Sequence, residues 1–415
     1  MTAPSPAGTA PLSPAANRRG PSVTQALLIA AAVMAVYVVF NYYRVGDLLY
    51  DFSKTLASYD YRQYLGMSKR WMMQYGHAVF LFVFLILTRF IFVWDKVPAK
   101  LSRAIAIAIP FTVPIFIIHF PLLYFFAAIT DHDPRSTFDQ VRLLVLVLSA
   151  SIAFGILCNR AKPYFDALQK WVMARLAPRN PERVIQVDPS KALKITKSHS
   201  EFLKVVRTVA TLSIAYGHYN FAQFSSFEVP GFDHWRRWAV PFFFMISGYF
   251  TMLSLDRARG GTLQILFRRY AGIWYAALPM LLIIAVLDRI GFQADPLLYY
   301  LHEKFVTPLE GGPADLRGFL FTLVNSLLFL NEIWIYKLLG WGTELGGVRA
   351  FSNDSYWFLC YLLPFTALLV VARRCAGPMK YVWLMVLCAF FGPAILMLSP
   401  LFFSGALAYQ IHKRY

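Results

Sequence analysis

Runs of apolar residues recur along this 415-residue chain without the every-second-residue polar alternation of a half-buried strand. They fall near residues 23 to 43, 71 to 94, 104 to 130 and 142 to 158. After a long basic, proline-containing stretch, they resume near 203 to 222, 238 to 254, 270 to 287, 355 to 372, 379 to 395 and 397 to 411. Runs of about 20 apolar residues are what a membrane-crossing helix needs. In lipid only helices or closed barrels can satisfy their backbone polar groups, and continuous rather than alternating runs select helices. The pattern predicts an all-α integral membrane protein with about ten transmembrane helices in one bundle. A further apolar segment, 318 to 336, carries Asn325, Asn331 and Glu332, and is expected as a re-entrant or surface helix. The expected division is a disordered cytoplasmic tail over 1–22, four spans over 23–158, a basic cytoplasmic linker over 159–202, and a six-span core over 203–415.

Composition agrees with this class. The chain is 58% hydrophobic and only 15% charged, where a soluble domain carries about 25% charged residues. A net charge of +18 raises nucleic acid as a partner, but the Lys and Arg residues lie between apolar runs rather than in one basic domain, so membrane orientation explains them and nucleic acid is set aside. With ten spans and a cytoplasmic amino terminus, 25 Lys and Arg residues fall on the cytoplasmic side and 14 outside. Letting 318–336 cross would move Arg373, Arg374 and Lys380 outward, against the positive-inside tendency. Both termini are therefore expected in the cytoplasm. Cys158, Cys360, Cys375 and Cys388 show neither a CxxC pair nor metal-like spacing with histidine, so neither a disulfide nor a metal site is expected.

The candidate chemistry sits where ionisable groups enter apolar runs. Arg207 and His218, in KVVRTVATLSIAYGHYNF, are eleven residues apart. On a helix that step returns to within about 20° and rises about 16 Å, so the two share one face. Charged groups inside hydrocarbon cost about 2.5 kcal/mol or more and mark interiors and watery paths. Arg207 is expected near the cytoplasmic mouth, with His218 deeper in the same cavity. Arg268 and Arg269 begin the seventh span on that side, and guanidinium forks suit phosphates. A histidine can take a proton from an attacking hydroxyl or accept a group itself. The plain alternatives are a snorkelling arginine, a packed histidine and positive-inside anchors. His119, in PIFIIHFPLLYF, reads as a second, packed intramembrane histidine. Ser247 and Gly248, in PFFFMISGYF, read as a close helix crossing, and Asp354 and Ser355 are placed to cap a helix at the outer face.

Several blocks together resemble the membrane-bound acyltransferase-3 family, which O-acylates cell-surface glycans and related acceptors. They are the Arg207-x10-His218 spacing, PFFFMISGYF, Arg268 and Arg269 leading into an aromatic span, the YWFL block at Tyr356–Leu359, and FFSGALAY at Phe402–Tyr409. The resemblance implies transfer of an acyl group, acetyl in the first instance, from cytoplasmic acyl-CoA to a hydroxyl of a surface glycan or lipid-linked sugar. It implies Arg207 and His218 as the essential pair and Arg207, Arg268 and Arg269 as donor-binding residues. Acyl-CoA would be a substrate, with no permanently bound cofactor, and the setting a bacterial inner membrane. In that family the Arg-x10-His helix usually comes first, whereas four spans precede it here. Because IIHFPLLYF is similar to the family's late His-x-Pro helix, one expectation is a circular permutation and the other an added four-span domain. A transporter or flippase lined by Arg207 and His218 remains the alternative to an enzyme.

Overall fold

The computed structural model describes residues 20–56, 65–175, 192–226, 236–258, 260–300, 316–339 and 348–415. The expected disordered tail lies outside these, apart from its last three residues. Ser22 and Gln25 form a reciprocal capping box that starts α1, Val23–Tyr42. The remaining main helices are α2 (Val45–Leu56), α3 (Trp71–Ile91), α4 (Ala99–Ile129), α5 (Thr137–Arg175) and α6 (Lys197–Tyr219), followed by α7 (Ala239–Leu255), α8 (Thr262–Ala294), α9 (Leu316–Leu327), α10 (Trp357–Arg374) and α11 (Met379–Arg414). No β-strand occurs among the described residues. Among the described residues, seven helices are long and apolar enough to cross a membrane on their own. The chain is an all-α integral membrane protein.

All ten expected runs are helical, and their contacts give alternating directions. Tyr37 on α1 bonds His77 on α3 at 2.8 Å, while Gly20, just before α1, abuts Phe90 at the end of α3, so the two are antiparallel. α4 and α6 are parallel, joined by Thr112–Thr208 low and His119–His218 high. α5 returns against α8, with Gln169 donating to the Arg268 carbonyl and Gln264 to that of Met173. The connections after α3, α7 and α10 and the last residues of α11 thus gather at one end of the bundle, called here the basic end; His218 lies toward the far end.

Several elements differ from expectation. α5 does not stop at 158 but continues to Arg175, so the segment read as a linker begins as helix, packed on α8 by the two glutamines just named. The last break falls at Gly392 rather than near 396: φ is 81° and ψ 176°, a left-handed turn that only glycine adopts without strain, and the Trp334 ring occupies the place of a Cβ. α2 was not expected at all; its Leu48, Phe52 and Leu56 are exposed while Asp47 pairs with Arg237, the pattern of a helix at a membrane surface. The segment 318–336 does not cross. α9 has 12 residues, about 18 Å of helix, and ends in a turn in which Phe329 has φ 56° and Asn331 donates to Ser326 at 3.0 Å.

The bundle has one main core, to which both halves of the chain contribute. At its centre α7 crosses α11 through two Ser-Gly pairs. A Cβ on Gly248 would overlap the carbonyl of Phe402, and one on Gly405 that of Met245. The packing role expected for Gly248 is the observed one. At the basic end Asp256, just past α7, accepts from Lys413 at 2.5 Å, Tyr409 at 2.9 Å and Arg373 at 3.4 Å. Burial by itself would push this carboxyl up, but the bonds and charges of Lys413, Tyr409 and Arg373 outweigh it and hold it below its ordinary value.

Candidate active site

α6 starts where the Thr196 side chain accepts from the His199 N–H, and runs unbroken to Tyr219. Arg207 and His218 therefore do share a face. Their surroundings diverge. Arg207 opens on a cavity of about 710 Å³ bounded by α4, α6, α7, α8 and α10. Arg257, Arg268 and Arg269 line the same cavity, so the three arginines singled out from sequence are brought together and a fourth joins them. Arg257 and Arg268 are exposed and mark the opening; Arg207 and Arg269 are half-buried. Among the described residues that line the cavity none is acidic. Arg207 Nε and Arg269 Nη2 are buried without a hydrogen-bond partner among the described residues. Buried charged donors with no acceptor are costly, which suits a site completed by an anion. Deeper in, the lining turns apolar, with Ile246, Phe250 and Leu362.

The cavity ends at three rings. Phe116, Phe243 and Phe358 stand with centroids 5.7, 5.4 and 4.9 Å apart, and Phe116 is 6.3 Å from the His119 ring on its far side. Neither imidazole lines the cavity. The expected common cavity of Arg207 and His218 is therefore not what the structure holds: helix periodicity puts them on one face, but side chains from α4, α7 and α10 close the space between them.

Beyond the rings His218 is paired. Its Nδ1 lies 2.8 Å from His119 Nε2, and the rings are nearly parallel, 8° apart. His119 Nδ1 is 3.0 Å from the Ile115 carbonyl, and Ser355 Oγ is 3.3 Å from His218 Nδ1. Proline explains how Ser355 arrives. Pro121 has no N–H to give the Ile117 carbonyl, one turn earlier on α4; Asn353 fills that place, its Nδ2 donating at 2.6 Å. The segment 352–355 is thereby fastened beside His119. Asp354 and Ser355 do not cap α10, which starts without a side-chain cap; Asp354 pairs with Arg349 at 2.8 Å and Ser355 turns to His218. Asp288 accepts the Ser352 N–H at 2.8 Å and is buried. Sequence reasoning stopped the seventh span at 287 and so passed over this acid, although α8 runs on to Ala294. His119 was taken for a packed residue; its signal was the proline two positions on, which frees a carbonyl for a neighbouring side chain.

Chemically, the arrangement offers an anion-accepting mouth, an apolar interior, and an imidazole pair beyond the rings that close it. Among the described residues no group of three His, Cys, Asp or Glu side chains could hold a metal ion. A family model described as an acyltransferase domain matches residues 200–415. No curated protein and no solved structure matches the chain.

Proposed function

The chain belongs to this acyltransferase family, and from that premise we propose that it moves an acetyl group from cytoplasmic acetyl-CoA to a hydroxyl of a surface glycan or lipid-linked sugar. The observation that carries the reading is the cavity: four guanidinium groups at its mouth, no carboxylate among its described lining, and an apolar depth that ends one ring short of the histidine pair. Coenzyme A has matching parts, a phosphate-rich head and a slender pantetheine arm. Arg207, Arg268 and Arg269 hold the phosphates as bidentate donors, with Arg257 at the rim. Membership of the family sets the transporter alternative aside.

In the proposed reaction the thioester passes between Phe116, Phe243 and Phe358, which requires those rings to turn. The acceptor hydroxyl comes from the far end. His218 takes its proton as the oxygen lone pair forms a bond to the thioester carbonyl carbon. The tetrahedral intermediate then collapses, the carbon–sulfur bond breaks, and the thiolate recovers the proton from the imidazolium. The products are the O-acetyl ester and coenzyme A, with no change in redox state. The positive-inside tendency of the basic end supports placing it and both termini in the cytoplasm of a bacterium, with the bundle in the inner membrane. Membrane lipids surround the exposed apolar faces.

Purified protein in nanodiscs, given radiolabelled acetyl-CoA and an oligosaccharide acceptor, tests the proposal. His218→Ala should abolish transfer while leaving coenzyme A binding in place, and Arg207→Ala should raise the KM for the donor above all. Full activity of the His218 variant would overturn the role given to that imidazole.

A further inference from the structure

The hydrogen-bond order around the histidine pair fixes more than contact. The Ile115 carbonyl can only accept, so His119 Nδ1, 3.0 Å away, carries a proton. A neutral imidazole has one N–H, which leaves the lone pair of His119 on Nε2. That lone pair faces His218 Nδ1 at 2.8 Å, so His218 Nδ1 carries the proton of this bond, and Ser355 Oγ at 3.3 Å is a second acceptor for the same N–H. With that proton on Nδ1, a neutral His218 keeps its lone pair on Nε2. The opposite order would need a positively charged His119. That ring is 2% exposed, packed between Phe116 and the His218 ring, with no carboxylate bonded to it among the described residues, so the neutral form is the one burial favours.

We propose that His119 is a positioning residue: it holds His218 in the Nδ1–H tautomer, so that Nε2 is the atom that takes the acceptor's proton. The proposal rests on the acyl-transfer reading for its consequence but not for its geometry. The chain Ile115 carbonyl, His119, His218 does what a carboxylate does for the histidine of a hydrolase triad, orienting the ring and choosing its nitrogen, but with a neutral partner. A neutral orienter adds no charge of its own inside the bundle, which a carboxylate would. The two rings lie nearly parallel, 8° apart, rather than edge to face, so each nitrogen's bond can lie in the plane of its own ring.

Two measurements test it. In full-length protein labelled with 15N-histidine in nanodiscs, the His218 signals, assigned by their loss in His218→Gln, should report a protonated Nδ1 and a bare Nε2 near neutral pH. Finding Nε2–H as the main tautomer in the unaltered protein would overturn the proposal whatever the enzyme's activity. Kinetically, His119→Phe keeps the ring but removes the acceptor. It should lower kcat by about 10²-fold or more, the scale of misplaced acid–base catalysis, with the donor KM unchanged. His119→Gln can place an amide oxygen where Nε2 was, and should restore kcat to within about tenfold together with the Nδ1–H signal. Equal loss in the Phe and Gln variants, or a wild-type kcat in the Phe variant, would refute the positioning role. Should the Phe variant fail to fold, the spectrum of the unaltered protein and the Gln variant still decide. Absence of any transfer by unaltered protein would count against the proposed reaction while the tautomer measurement stood on its own.

Discussion

Replacing Arg269 by glutamine separates an arginine that awaits a ligand from one that anchors the bundle at a membrane face. Four guanidinium groups border one cavity whose described lining includes no acid, and the buried Arg269 Nη2 lacks an acceptor among the described residues. Leaving a buried polar group unsatisfied costs about 1–3 kcal/mol, more when it is charged. Glutamine keeps a donor but sheds the charge, so ligand-free Arg269→Gln should be at least as stable as the parent, and by as much as about 1–3 kcal/mol more so. With coenzyme A the sign reverses. A hydrogen bond to a charged group contributes about 1.5–3 kcal/mol, so the variant should bind roughly 10- to 150-fold more weakly. At a coenzyme A concentration about 100 times the parent's Kd, the ligand stabilises the parent by about 2.7 kcal/mol; a thirtyfold weaker site gains only about 0.9 kcal/mol from the same solution. Thermal unfolding in detergent with and without coenzyme A, and titration calorimetry for Kd, read both halves. A variant that melts lower without ligand, yet shows an undiminished coenzyme A shift, would mean that Arg269 is a structural anchor and that the mouth has been misread.

Three other changes probe the surrounding structure. Gly248→Ala puts a methyl group into the Phe402 carbonyl; because backbone rather than a flexible side chain must yield, the loss should reach about 3 kcal/mol, and a variant that melts with the parent in detergent would show the α7–α11 crossing to be looser than drawn. Phe116→Ala removes one of the three rings that close the cavity, so acetyl-CoA hydrolysis without acceptor, followed by free thiol release, should rise severalfold; no rise would mean that the ring cluster is not the barrier. Asp256→Asn addresses pH. Its carboxyl is held below the ordinary value of about 3.9, so the native state binds fewer protons there than the unfolded chain. Its stabilising effect is complete above the ordinary value and fades as pH falls through the lowered one. The variant should therefore melt below the parent at neutral pH and converge with it in strong acid; a gap that persists into acid would assign the loss to packing.

What the sequence discloses is set by how local the cause is. Each membrane run declares itself because lipid demands a continuous apolar surface, and the 25-to-14 bias of Lys and Arg argues against a crossing at 318–336. Arg207 and His218 could be placed on one face because a helix has a fixed rise and turn. What lies between them could not, since Phe116, Phe243 and Phe358 come from three other helices, and no periodicity within α6 registers them. The same holds for Gly392: a glycine before a proline is a plausible break, yet the Trp334 side chain that fills the place of a Cβ there comes from a segment whose neighbours in sequence gave no hint of contact. His119 is the most instructive case. Read alone it was a packed histidine, and its partner lies 99 residues later in the chain. The order of the helices in space is therefore not the order in sequence. α4 meets α6 and α8, α3 meets α11, and spans two to four share the main core with the last six, while the first span packs on the end of α3 in a cluster of its own. Here α4 supplies one imidazole of the pair, the Ile117 carbonyl that fastens Asn353, and the Phe116 ring that closes the cavity. The histidine pair and the ring cluster thus draw on residues outside the matched 200–415, and a fragment confined to those would lack His119 and Phe116.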